Sequence, residues 1–225
     1  MISRVYTFER FLQVLIEKQF YFISPVQWKD PWEAILFKEL YNGNMESILP
    51  IYGSCWTLNE ETDLAWRAYS PSKNGIMVFA EEQELLSFFK TDILHDYPDS
   101  QIIGKVVSYL TQADYLDIFR DVLGSKKDPP KRLPDFLLFD SLYVKRNFFL
   151  TESEFRFIIH LDNGMAMQIG DHFNVKFDPN RYFSKIILDP NLSGNDYQFY
   201  KGLITRLGYN GPIHQSDVYA DPTTL

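Results

Sequence analysis

The segment Thr151-Glu152-Ser153-Glu154-Phe155-Arg156-Phe157-Ile158-Ile159-His160 holds the densest chemistry in the chain. In an extended strand alternate side chains share a face. Phe155, Phe157, Ile159 and Leu161 then point one way. Glu154, Arg156 and His160 point the other, joined by Glu152 if the strand reaches it. Two carboxylates, a guanidinium and an imidazole on one face could run acid/base chemistry or stabilise a developing cation. The plainer reading is an antiparallel sheet with one solvated face, where such charges are ordinary.

Two further clusters invite the same question. Trp28-Lys29-Asp30-Pro31-Trp32-Glu33 sets two tryptophans around a charged turn. Asp30 suits a helix cap there and Pro31 a first helical turn. Trp66, Arg67 and Tyr69 precede Lys73-Asn74-Gly75. Aromatic and cationic groups together suit stacking on a flat ligand, and a core tryptophan on an amphipathic helix explains the same pattern.

Other chemistries lack support. The sequence has no Gly-x-x-x-x-Gly-Lys, no Gly-x-Gly-x-x-Gly and no Gly-x-Ser-x-Gly. His95, His160, His172 and His214 show no metalloprotease-type pairing, so no metal is expected. Cys55 sits in an apolar run beside Trp56, with no neighbouring charge in sequence to activate it. A packed thiol is expected.

The elements that must position these groups are legible as an α+β pattern. A mixed, mainly antiparallel sheet should pack with several helices, because helices come early and strands cluster late. Strands are expected at Val5 to Thr7, Phe20 to Ile23, Ile51 to Thr57, Gly75 to Ala80, and around Ile103, Val107 and Tyr109. Later strands follow at Glu154 to Leu161, Ala166 to Ile169, Asn174 to Phe177 and Ile186 to Leu188. Helical spacing marks Phe8, Phe11, Leu12, Leu15 and Ile16, capped by Thr7. It marks Leu64, Trp66 and Tyr69, capped by Thr62, then Leu85, Leu86 and Phe89, and Tyr115 to Leu123. A helix is also expected from Asp135 to Arg146. The last helix carries Phe199 to Leu207 and stops at Gly208. Asp162-Asn163-Gly164 is a hairpin signal, and 124–134, rich in proline and lysine, is expected as a surface loop.

At 225 residues the chain suits a single domain, 1–225. One cysteine excludes an internal disulfide and fits a reducing, cytoplasmic setting. No stretch approaches the roughly 18 apolar residues of a membrane span. A formal charge of −8 argues against nucleic acid or anionic lipid as partner. Nothing in the sequence sets an oligomeric state.

Taken in order, the three clusters resemble the signature segments of the bacterial domain-of-unknown-function 2971 family. Its Asn-Asp-Pro-aromatic-Glu box corresponds to Lys29-Asp30-Pro31-Trp32-Glu33, with lysine replacing asparagine. Its Trp and Tyr followed by a Gly-led apolar strand correspond to Trp66-Arg67-Ala68-Tyr69 and Gly75-Ile76-Met77-Val78-Phe79. Its Lys, Trp and Glu-x-Glu-x-Arg correspond to Lys145, Phe149, Glu152, Glu154 and Arg156, with phenylalanine in the tryptophan position. The family name implies no activity.

A more distant likeness is to ADP-ribosyltransferases, which carry an early Arg or His, then a Ser-bearing strand, then a late Glu-x-Glu. That order is met by Arg4, Ser24 and Glu152-Ser153-Glu154. The resemblance implies NAD as a substrate, with Arg4 on its pyrophosphate, Ser24 at the nicotinamide ribose, and Tyr6 and Trp66 among the cofactor-binding residues. Glu154 and Glu152 would be catalytic, Glu154 stabilising an oxocarbenium-like transition state. Ser24 stands here without the usual Ser-Thr-Ser run. Two non-enzymatic alternatives stand beside this one. One is a recognition module of a regulatory or defence-associated kind, with a nucleotide or a protein as partner. The other is a purely structural role for all three boxes, with Asp30 and Arg156 as an ion pair.

Overall fold

The structure, a computed structural model, describes residues 1–33, 50–123, 140–161, 171–221 and 223. The fold is α+β, with helices packed on a mixed, mainly antiparallel sheet arrangement. The chain divides into two compact units. The first is Met1–Phe20, Trp56–Phe89 and Asn174–Leu225; the second is Tyr21–Cys55 and Lys90–Phe173.

In the first unit, β1 (Ile2–Tyr6) pairs antiparallel with β4 (Ile76–Ala80), with Arg4 opposite Val78. On the far side β4 pairs antiparallel with β10 (Lys185–Leu188), which runs parallel to β11 (Ile213–Gln215). Every residue of β4 is buried. That explains its unbroken apolar run, Ile-Met-Val-Phe-Ala, where a half-exposed strand would alternate. Helix α1 (Phe8–Glu17) starts at Thr7, whose hydroxyl accepts from the Arg10 amide, and buries Phe8, Phe11, Val14 and Leu15 at helical spacing. Helix α2 (Asp63–Tyr69) is capped by Thr62 and buries Trp66. Its last turn is tied down by Ser70. The Ser70 hydroxyl donates to the fully buried Asp189 and accepts from the Gly75 amide at 2.8 Å. The late helix α6 (Gly194–Arg206) is capped by Ser193, and the chain leaves it through Gly208 at φ +97.

In the second unit, β8 (Glu154–His160) pairs antiparallel with β5 (Gln101–Val106), placing Arg156 opposite Lys105 and Phe155 opposite Val106. The residues of β3 (Ile51–Thr57) in this unit pair with β2 (Gln19–Ile23), Gly53 opposite Ile23, and β8 is also a partner of β3. A second, parallel ribbon joins β6 (Ser108–Leu110) to β7 (Val144–Arg146). Helix α4 (Gln112–Leu123) follows β6. Helix α3 (Glu82–Asp96), like β2, β3 and β9 (His172–Lys176), contributes residues to both units; the short α5 (Pro179–Tyr182) belongs to the first.

Several elements differ from the sequence reading. The strand expected through Ile103, Val107 and Tyr109 is two strands. At the break, the Val107 amide donates to the Glu154 carbonyl at 2.9 Å and the Ser108 amide to the Tyr143 carbonyl at 2.7 Å, so the chain changes partner there. The helix expected over Asp135 to Arg146 does not extend to its end. Val144 to Arg146 form β7, because pairing with Ser108 to Leu110 overrides a weak local preference. The 124–134 loop, the Asp162-Asn163-Gly164 turn and the strand at Ala166 to Ile169 lie outside the described residues. No helix among the described residues is long and apolar enough to cross a membrane.

Candidate functional site

The charged face of β8 forms as the alternation requires, with Glu154 and Arg156 side by side. It is not a wet face. Six of the seven residues of β8 are buried, and the side chain of Arg156 is 0% exposed. A buried guanidinium must be neutralised and hydrogen-bonded, and the surrounding elements do both. Arg156 Nε donates to Glu154 Oε1 at 2.9 Å and Nη2 to Glu154 Oε2 at 2.7 Å, a two-pronged fork. Nη2 also reaches Glu33 Oε1 at 2.9 Å, and Nη1 the Leu142 carbonyl at 2.6 Å. The ring of Trp28 lies 4.4 Å from the guanidinium carbon. Trp28 comes this close because Gly53, on the neighbouring β3, has no side chain. A Cβ there would stand 2.7 Å from the indole.

Lys145, on β7, completes the network. Its ammonium lies 2.7 Å from Glu152, 3.0 Å from Glu33 and 3.2 Å from Glu154. Three carboxylates against two cations leave one negative charge over. The residues of the first and third signature boxes therefore converge in one unit. Asp30, expected to pair with Arg156, pairs instead with Arg146, whose Nη2 donates to its two oxygens at 3.0 and 3.1 Å. Glu33 is the carboxylate that reaches Arg156. Asp30 also accepts from the Trp32 amide at 3.0 Å, within the turn Pro31 to Glu33; the helix expected after it falls outside the described residues.

Titration follows from this geometry. Burial alone would raise the Glu154 carboxyl, but the charge and hydrogen bonds of Arg156, helped by Lys145, outweigh it and hold the group below the usual range. Burial would lower Lys145. The charges of Glu154, Glu33 and Glu152 reverse that and keep it protonated well above its ordinary value. An amine so held is no nucleophile or base near neutral pH. Cys55, half-buried on β3, lies beside the network. Burial, then the Glu154 charge, pushes its thiol well up, so the packed-thiol reading fits, although charges absent from its sequence neighbourhood do surround it in space.

The proposed site residues fall into two sets. Glu152 and Glu154 meet at Lys145 in the second unit. Glu152 is the most accessible of the three carboxylates, at 21%. Ser24, also in that unit, starts the 3-10 turn Pro25–Gln27, its amide donating to the Asp171 carbonyl and its carbonyl accepting from Gln27. Arg4, Tyr6 and Trp66 belong to the first unit. Arg4 lies 4.8 Å from the Tyr6 ring centre. Burial raises the Tyr6 hydroxyl, partly offset by Arg4. Trp66 is a core residue with Met77, Phe79 and Ile187, its indole N–H donating to Glu61 at 2.7 Å. Among the described residues no group of three or more His, Cys, Asp or Glu is arranged to hold a metal ion. Arg146 and Glu33 are the members that sequence reasoning left without their roles; the adjacent Lys145-Arg146 pair, pointing to opposite faces of a strand, was the available signal. No family model, curated protein or solved structure matches the chain.

Proposed function

We propose that this chain is a ligand-recognition domain of the domain-of-unknown-function 2971 type, in which the Glu-x-Glu-x-Arg strand fixes the frame and does no chemistry. The observation that supports this is the state of Glu154: both its oxygens are held by the Arg156 fork, and one also by Lys145. Three donors already occupy this carboxylate, whose side chain is 7% exposed, and its lowered pKa denies it a general-acid role. Taking one member from a buried pair is costly, so the arrangement is a poor one to disassemble in each catalytic cycle.

One observation favours a second reading, an NAD-consuming enzyme of the ADP-ribosyltransferase kind. Glu152 is the more accessible carboxylate and Lys145 its ion-pair partner, which makes Glu152 the reachable group of the Glu-x-Glu pair.

Nicotinamide release from NAD separates the two. The recognition reading expects none above a protein-free blank from wild type, Glu152→Gln or Glu154→Gln. Release by wild type that Glu152→Gln abolishes, with its near-ultraviolet dichroism unchanged, would replace this reading with the enzymatic one.

A further inference from the structure

Arg146 follows Lys145 on β7 and so points to the opposite face of the ribbon, away from the buried ion-pair network. Only its Nη2 is taken by Asp30. Its Nε is buried and meets no acceptor among the described residues. Around the guanidinium stand three rings: Trp32 at 4.9 Å, Phe149 at 5.6 Å and Phe148 at 5.9 Å from its central carbon. Trp32 is fixed from behind, its carbonyl accepting from the Tyr115 hydroxyl and its ring meeting the edge of Tyr115 at 5.7 Å. Phe148, in contrast, is 71% exposed. The buried, unanswered donor is the unusual feature, and an exposed ring stands beside it.

The charge balance selects the ligand. Asp30 already neutralises Arg146, and the neighbouring network carries a surplus carboxylate, so an anion gains little here. The free donor still needs an acceptor, and the rings need a flat partner. We infer that Arg146, Trp32 and Phe148 bind a neutral planar heteroaromatic ring with an acceptor on its edge, the chemistry of a nucleobase. The ring displaces the exposed Phe148 side chain far enough to open the buried Nε, stacks against Phe148 and accepts from Arg146 Nε. This rests on the recognition reading above and adds a ligand class and a site to it.

The test titrates the full chain with guanosine, guanosine 5′-monophosphate and inorganic phosphate, followed by tryptophan fluorescence and calorimetry. Guanosine and its monophosphate should bind with affinities within about three-fold of each other, and phosphate should neither bind nor compete. Phe148→Ala, at an exposed position, should weaken guanosine about ten-fold through lost stacking. Arg146→Lys keeps the charge beside Asp30 but has no Nε–H, and should weaken it about as much with the melting curve intact. No saturable guanosine binding, guanosine binding indifferent to both variants, or competition by phosphate would each overturn the site. These outcomes leave nicotinamide release unaffected. A chain that fails here yet releases none keeps its recognition role and loses only this site.

Discussion

Arg156 lays Nε and Nη2 on the two oxygens of Glu154, its same-face neighbour two residues earlier on β8, at 2.9 and 2.7 Å. The contact is local in sequence, but it closes only because Glu33, Lys145 and the Leu142 carbonyl meet it from other elements. Arg156→Met removes one cation and strands Glu154 and Glu33 in a buried setting. The expected loss is about 3–5 kcal/mol of unfolding free energy. Adding Glu154→Leu removes the stranded charge and should return part of that loss. The coupling is read from a double-mutant cycle in urea. Additive losses would mean that the fork contributes nothing beyond the packing of its two side chains.

The same pair sets an acid limb on the stability profile. Glu154 has its carboxyl lowered in the folded chain, so the unfolded chain binds the proton more readily. Its contribution is then complete above the unfolded value, roughly pH 4.3, and is lost as pH falls through the lower folded value. Lys145 is shifted upward, so its contribution is complete below the unfolded value of about 10.4 and is lost only as pH rises past it. Urea midpoints should accordingly fall below about pH 4 and above about pH 10. Glu154→Gln should flatten the acid limb, and Lys145→Met the alkaline one. An acid limb identical in Glu154→Gln and wild type would show that other carboxylates govern it.

Periodicity in the sequence conveys which residues share a face but not what covers that face. The two-residue alternation of β8 correctly set Glu154 and Arg156 together, and the same alternation invited a solvated surface. The cover comes from Glu33 and Lys145, more than a hundred residues apart in the chain, and no local pattern encodes their meeting. The exchange of partners has the same origin. Asp30 was expected to meet Arg156 and meets Arg146, because Lys145 and Arg146 face opposite ways on a strand that local propensity had suggested was helix. Capping residues were more transparent. Thr7 and Thr62 each accept a nearby backbone N–H, an interaction complete within a few residues of chain.

Gly53 tests how far β3 governs the network. A methyl group there would stand 2.7 Å from Trp28 Cζ2 and 3.0 Å from Ile158 Cδ1. The indole must yield, and the indole is the face on which Arg156 rests. Gly53→Ala should cost about 1–3 kcal/mol, the usual range for overpacking, and should shift the tryptophan emission. Trp28→Leu in the Gly53→Ala background relieves the clash and should recover most of the overpacking cost. No recovery would locate the strain at Ile158 instead.

Cys55 reports on the network without disturbing it. Its thiol is raised by burial first and by the Glu154 charge second. A free thiol with a pKa near 8.5 is substantially ionised at pH 8; this one is not, so an aromatic disulfide reagent at pH 8 should label the native chain at least about 100-fold more slowly than the chain in urea. Glu154→Gln takes away the carboxylate that repels the thiolate and should speed native-state labelling. That variant also weakens the fold, and labelling through transient opening would mimic the effect. Thr62→Ala provides the control. It removes a helix cap in the first unit, worth about 1 kcal/mol, and leaves the carboxylate in place. Labelling should accelerate in Glu154→Gln well beyond what Thr62→Ala produces once the two are matched in stability with urea. Equal rates at matched stability would mean that burial alone, and not the neighbouring charge, keeps Cys55 inert.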